Sequence, residues 1–172
     1  MRLLTMLLCC ATLAAAPTPA DEQKTVRALQ SSVQAFYDWY APRANHAGEG
    51  RPSDAVLTGK RFTLGSRLAA ALKEDSAAQD QASEIVGLDF DPFLNTQEPC
   101  ERYVVGGVHK VGSAYLVDVH GVCGKERSKK PDVVVEAKRD GSRWIFVNFR
   151  YPPDDDLLSI LGLLKRDRKS GR

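Results

Sequence analysis

No apolar run in this chain reaches the roughly 20 residues that a membrane-spanning helix needs, and no strong excess of one charge runs through its 172 residues. Lysine and arginine total 24 against 22 aspartates and glutamates, a net charge of +2. So weak a field excludes the broad basic surface that general nucleic-acid binding requires. Cysteine is scarce, with four residues, no CxxC spacing and no third sulfur ligand, which argues against a zinc or redox site. A Gly-rich phosphate loop, HExxH and GxSxG are all missing. Asp89 and Asp91 open like a calcium loop, but Pro92 takes the next position, no glycine marks the sharp turn and Cys100 stands where the bidentate glutamate belongs. We therefore expect no metal, no cofactor and no nucleic-acid partner, and no motif names a reaction.

The first twenty residues have their own character. Arg2 precedes a run from Leu3 to Ala16 broken only by Thr5 and Thr12, followed by Pro17-Thr18-Pro19-Ala20. This is the pattern of a signal peptide, with small residues at Thr18 and Ala20 placing cleavage before Asp21. Cys9 and Cys10 lie inside the apolar run without the small residues of a lipid-attachment site. The expectation is a periplasmic or secreted protein: residues 1–20 a signal peptide, residues 21–172 a single domain, and no transmembrane span in the mature chain. Loss of the leader removes one arginine and no acid, leaving 23 bases against 22 acids. Cys100 and Cys123 alone survive processing, and in an oxidising compartment they are expected to form a disulfide.

Four β-branched runs between Tyr103 and Tyr151 organise the domain. Tyr103–Val111 and Ala114–Cys123 flank Gly112-Ser113, which suits a two-residue type II′ turn. In that register Val111 faces Ala114, Val105 faces His120 and Arg102 faces Cys123. One face then carries Val104, Val108, Tyr115, Val117, Val119 and Cys123 as core. The other is mixed, with Tyr103, Val105, His109, Leu116, Asp118 and His120, although a bulge at Gly106-Gly107 would swap part of the assignment. Val133–Arg139 and Arg143–Tyr151 form a second hairpin around Asp140-Gly141, grouping Val133, Val135, Ala137, Trp144 and Phe146.

Helical spacing of Val26, Leu29, Val33, Phe36, Tyr37 and Tyr40 predicts an amphipathic helix over 21–40, ending before Pro42, with Trp39 off its stripe. Ala41–Asp54 reads as a long exposed loop. Leu64, Leu68, Ala71 and Leu72 mark a second helix, and Ala77–Val86 a third. Asp89–Gln97 reads as an ordered connector whose Phe90, Phe93 and Leu94 plug the core while Asp and Asn side chains satisfy turn amides. Asp154-Asp155-Asp156 caps a last helix over 155–166 on the stripe Leu157, Ile160, Leu161 and Leu164, with Leu158 and Leu163 widening it toward a partner or a membrane surface. The fold class is α+β: N-terminal helices on a curved, mainly antiparallel four-stranded sheet spanning 103–151, with a C-terminal helix.

His109, Asp118 and His120 form the one acid-histidine grouping and are the candidate catalytic residues, without a nucleophile beside them. The order of elements resembles the nuclear transport factor 2-like, cystatin-like cone. Phe36-Tyr37-x-Trp39-Tyr40, Asp91-Pro92-Phe93-Leu94-Asn95-x-Gln97 and Trp144-Ile145-x-x-Asn148-x-x-Tyr151 are similar to those of an uncharacterised family of exported bacterial proteins and lipoproteins. The resemblance implies a pocket between sheet and first helix. It makes Tyr37, Trp39, Tyr40, Asp91, Asn95, Gln97, Trp144, Asn148 and Tyr151 candidate binding residues. The reading favoured is a non-enzymatic binding module with a protein partner in the cell envelope, in the manner of an inhibitor or immunity protein. The alternative is a cone pocket lined by Tyr37, Trp39, His109 and Asp118 that holds a small apolar ligand or performs hydrolase or isomerase chemistry.

Overall fold

The computed structural model describes residues 18–46 and 50–171; the body of the expected signal peptide lies outside them. Among these residues four helices pack with one seven-stranded, mostly antiparallel sheet. The helices are α1 (Pro19–Asn45), α2 (Pro52–Thr58), α3 (Ser66–Gln81) and α4 (Leu157–Ser170). The strands are β1 (Thr63–Leu64), β2 (Arg102–Val111), β3 (Ala114–Cys123), β4 (Glu126–Arg127), β5 (Val133–Asp140), β6 (Arg143–Tyr151) and β7 (Asp155–Asp156). The order across the sheet is β1-β6-β5-β3-β2, with β4 on β3 and β7 on β6. No described helix is long and apolar enough to cross a membrane.

The first hairpin closes as expected, with Val111 opposite Ala114 and Gly112 at φ 59°, the positive value that a glycine adopts without strain. The register then slips between Val105 and Val108. The bulge at Gly106-Gly107 is real, and it corrects the facing pairs: Val104 sits opposite His120, Val105 opposite Val119 and Arg102 opposite Val122. Tyr103 turns inward and is buried, Val105 packs against the core, and Cys123 moves to the exposed surface. A side chain at Gly106 would place its Cβ 2.9 Å from His120 Nε2, so the bulge needs a residue without one. In the second hairpin Asp140 pairs with Arg143, which puts the turn at Gly141-Ser142 and slides the pairs as far as Ala137 and Phe146 by two residues while preserving their faces. A second slip, between Glu136 and Ala137, turns Phe149 inward beside Phe146, where simple alternation had placed it outward.

α1 begins on a capping box, Thr18 Oγ1 accepting from Asp21 N–H at 3.3 Å while Asp21 Oδ2 accepts from Thr18. It runs past Pro42, contrary to expectation. Proline falls in the final turn, where only one internal bond is lost, and His46 N–H still closes the end on the Pro42 carbonyl. The exposed loop expected from Ala41 is correspondingly shorter, since α2 starts at Pro52. The second and third expected helices merge into α3, whose Leu68 and Leu72 are buried; Leu64 belongs instead to β1, parallel to β6. α4 starts where expected and continues to Ser170.

α1 also seals one edge of the sheet. β2 is an edge strand, and Gln34 donates to Tyr103 O at 2.9 Å while accepting from Val105 N–H at 2.9 Å; Gln30 donates to Gly106 O at 3.0 Å. Residues four apart stack on one helix face, so the two glutamines reach successive positions of the strand and occupy backbone groups that would otherwise attract another strand.

Candidate functional site

The core between α1 and the sheet is built around Phe36, which has no exposed surface and packs against Tyr37, Tyr40, Phe62, Phe93 and Phe146 with ring centroids 5.2 to 5.5 Å apart. Phe149 fills the remaining side, 4.8 Å from Phe93. Space between sheet and first helix is thus taken by aromatic rings, mostly in the edge-to-face arrangement their quadrupoles favour.

Three buried tyrosines fix the connector between α3 and β2. Tyr37 hydroxyl donates to Phe93 O at 3.0 Å, Tyr151 to Pro92 O at 2.7 Å and Tyr40 to Asp91 Oδ2 at 2.6 Å. Asp91 Oδ1 accepts from the amides of Phe93 and Leu94, and its backbone carbonyl from Asn95, which reaches φ 54°. Phe93 and Leu94 plug the core as the sequence suggested, and Phe90 packs edge-on to Tyr151. Burial pushes the Tyr37, Tyr40 and Tyr151 hydroxyls well above the usual phenol value and Tyr103 up to about 12. Burial also raises Asp91, against the opposing pull of the Tyr40 hydroxyl and the two amides. Four of the nine candidate binding residues therefore form a structural lock.

The other five are dispersed. Trp39 is half-buried against Phe62, with the Arg43 guanidinium 4.3 Å above its ring. Trp144 packs edge-on to Tyr115. Asn148 joins β6 to the last helix: its Nδ2 donates to Asp156 Oδ1 at 2.8 Å, and its oxygen accepts from Leu158 N–H. At Asp156 burial acts to raise the carboxyl, but hydrogen bonds from Asn148 and Ser159 outweigh it and hold the carboxyl below its ordinary value. Asn95 donates to Asp132 O, and Gln97 is exposed.

His109 and Asp118 do meet, Nε2 to Oδ2 at 3.5 Å, but on the outer face of the sheet and away from Tyr37 and Trp39. They border a cleft of about 410 Å³ with Leu116, Val134, Arg150 and the turn Tyr151–Asp156. His109 is two-thirds exposed. His120 shares their face but is buried, its Nδ1 2.9 Å from Ser128 O, where it holds down the loop after β4. The three candidate residues are thus a surface contact between His109 and Asp118 and a loop anchor at His120. Cys100 and Cys123 are bonded, with Cα atoms 4.6 Å apart, tying the connector's end to the end of β3. No cluster of metal-ligating side chains occurs among the described residues.

A larger cleft, about 600 Å³, lies between α2, α3 and the connector. Leu57, Leu72, Ile85, Leu88, Phe90 and Pro92 supply apolar walls, while Asp54, Asp75, Asp89 and Asp91 stand against a single cation, Arg51. Arg51 is fixed by Ser76 Oγ and Asp80 Oδ1, each at 2.6 Å, and Asp75 by Arg168 at 2.7 Å. Of this site only the Asp89–Gln97 stretch stood out in the sequence. The α2 and α3 contributions carry no local signal, because folding alone brings Arg51 and Asp75 to the same wall.

These features define a small α+β domain with a filled interior and open surface clefts among the described residues. No family model matches the chain, and no curated protein matches it. Among solved structures it is similar to a chain in the crystal structure of the type VI native effector-immunity complex Tae3-Tai3 from Ralstonia pickettii. That likeness has 20% identity and a TM-score of 0.48 over 73% of this chain and 92% of the other. The selenomethionine form of that complex gives 16% identity and a TM-score of 0.45 over 73% and 97%. Such values fall short of establishing a shared fold or a shared partner.

Proposed function

We propose that this chain is an exported, non-enzymatic protein-binding module that acts in the cell envelope as an inhibitor or immunity protein against an enzyme or toxin, on a nuclear transport factor 2-like scaffold. One observation carries the reading: the cone that houses ligands in pocketed versions of such a scaffold is filled by Phe36 and the rings around it. A small ligand inside the cone has no room, and Tyr37, Trp39, His109 and Asp118 do not line one cavity. What the molecule offers instead is external: surface clefts, one of them lined by the exposed Ile85. Exposed apolar residues beside grooves are a mark of protein-binding surfaces. Co-purification of the tagged full-length gene product from periplasmic extract should recover one stoichiometric protein; recovery of none would defeat the reading.

A further inference from the structure

We propose that the larger cleft is where that partner is held, and that its occupant is an arginine or lysine side chain carried between apolar residues on an extended segment of the partner. The inference rests on the protein-binding reading and adds the chemistry of the contact. At about 600 Å³ the cleft falls in the size range of real binding sites and has their composition, apolar walls with a few polar groups at fixed positions. Its charge is lopsided. Asp75 is paired with Arg168, Asp54 with Arg51, and Asp91 is tied to Tyr40 and two amides, which leaves the carboxylate of Asp89 as the open charge of the cleft, and a concave surface with low-dielectric walls focuses its field.

Most of these carboxylates are already engaged inside the fold. Asp75 holds Arg168 and the amide of Leu88, Asp54 accepts from Ser76, and Asp91 holds Tyr40 and two amides. Asp89 differs: it is exposed at the rim and takes no hydrogen bond from any described residue. Ile85, which lines the same cleft, leaves 72% of its surface in solvent, the most exposed large apolar side chain described. An open carboxylate and an open apolar side chain on the lining of one apolar cleft match a cation on a flexible stem flanked by apolar neighbours. The stem lies along Leu88 and Phe90 while its charged head meets Asp89. An acidic segment would instead set its carboxylate against that of Asp89.

The test uses the whole mature chain and two blocked tripeptides, Leu-Arg-Leu and Leu-Glu-Leu, followed by amide chemical shifts. The arginine peptide should shift Ile85, Leu88, Asp89 and Phe90, and should bind at least tenfold more weakly to Asp89→Lys and to Ile85→Asp. Both positions are solvent-facing, so both variants should fold, and an unchanged spectrum away from the cleft verifies it. Equal response to both peptides, shifts centred on His109, or no response from either would overturn the proposal. A co-purified partner that still binds Asp89→Lys at full strength would overturn it too, while leaving the protein-binding reading in place. Failure to recover any partner with the wild-type chain would instead remove that reading.

Discussion

At the residue scale the most informative group is Asp91. Its carboxyl is raised on folding, chiefly by burial and despite three hydrogen bonds. A raised carboxyl binds its proton more tightly in the folded chain. Its contribution to stability is therefore whole below the unfolded value near about 4 and is lost as pH rises through the folded value. Wild type should lose ground to Asp91→Asn as pH rises above about 4, measured as the difference in urea-unfolding free energy at each pH. A difference that stays flat, or moves the other way, would show that the hydrogen bonds dominate. The sequence singled out Asp91 together with Tyr37, Tyr40 and Tyr151, and the structure joins all four. Helical spacing and strand alternation placed the rings near the core, but they carry no information about where a hydroxyl ends. Each tyrosine reaches a partner more than fifty positions away in the chain, so a binding set and a structural lock look the same in one dimension.

At the scale of elements the disulfide decides most. Cys100 and Cys123 close a loop with a sequence separation of 23 that contains the whole first hairpin. In the chain-entropy model a closure of this size contributes roughly 3 kcal/mol. Cys100→Ser with Cys123→Ser should lower the urea-unfolding free energy by about that amount, and Ellman titration of the denatured, unreduced chain beginning at Asp21 should find no free thiol. Strands and main helices were legible because their apolar periods are long and regular. The two bulges were legible unequally. Gly106-Gly107 advertised the first. The second involves Val147, an ordinary strand residue, and comes from the fit of Phe149 among Phe36, Phe93 and Phe146. Tertiary packing overruled alternation there, and only the folded core could reveal it. The merged third helix has a similar cause: α3 runs on to Gln81, whose neighbours are held by Gln79 accepting from the amides of Val86 and Gly87.

At the scale of the molecule the proposed processing and the fold meet at one point. Cleavage before Asp21 would remove Thr18 and Pro19, and with them the capping box of α1. It would also place a new ammonium at the positive end of the helix dipole. Intact mass of the exported protein should begin at Asp21, and that form should be less stable than a chain beginning at Thr18 by about 1 kcal/mol. A mass that retains residues 1–20 would remove the signal peptide from the account.

The glutamine clamp on β2 bears on the order in which the chain takes shape. Gln30 and Gln34 precede the strand they cover by about seventy residues. A chain made or threaded through a membrane from its N-terminus presents the helix first. The two glutamines are therefore already in place on the chain when the edge strand emerges, ready to take up its backbone groups as helix and sheet come together.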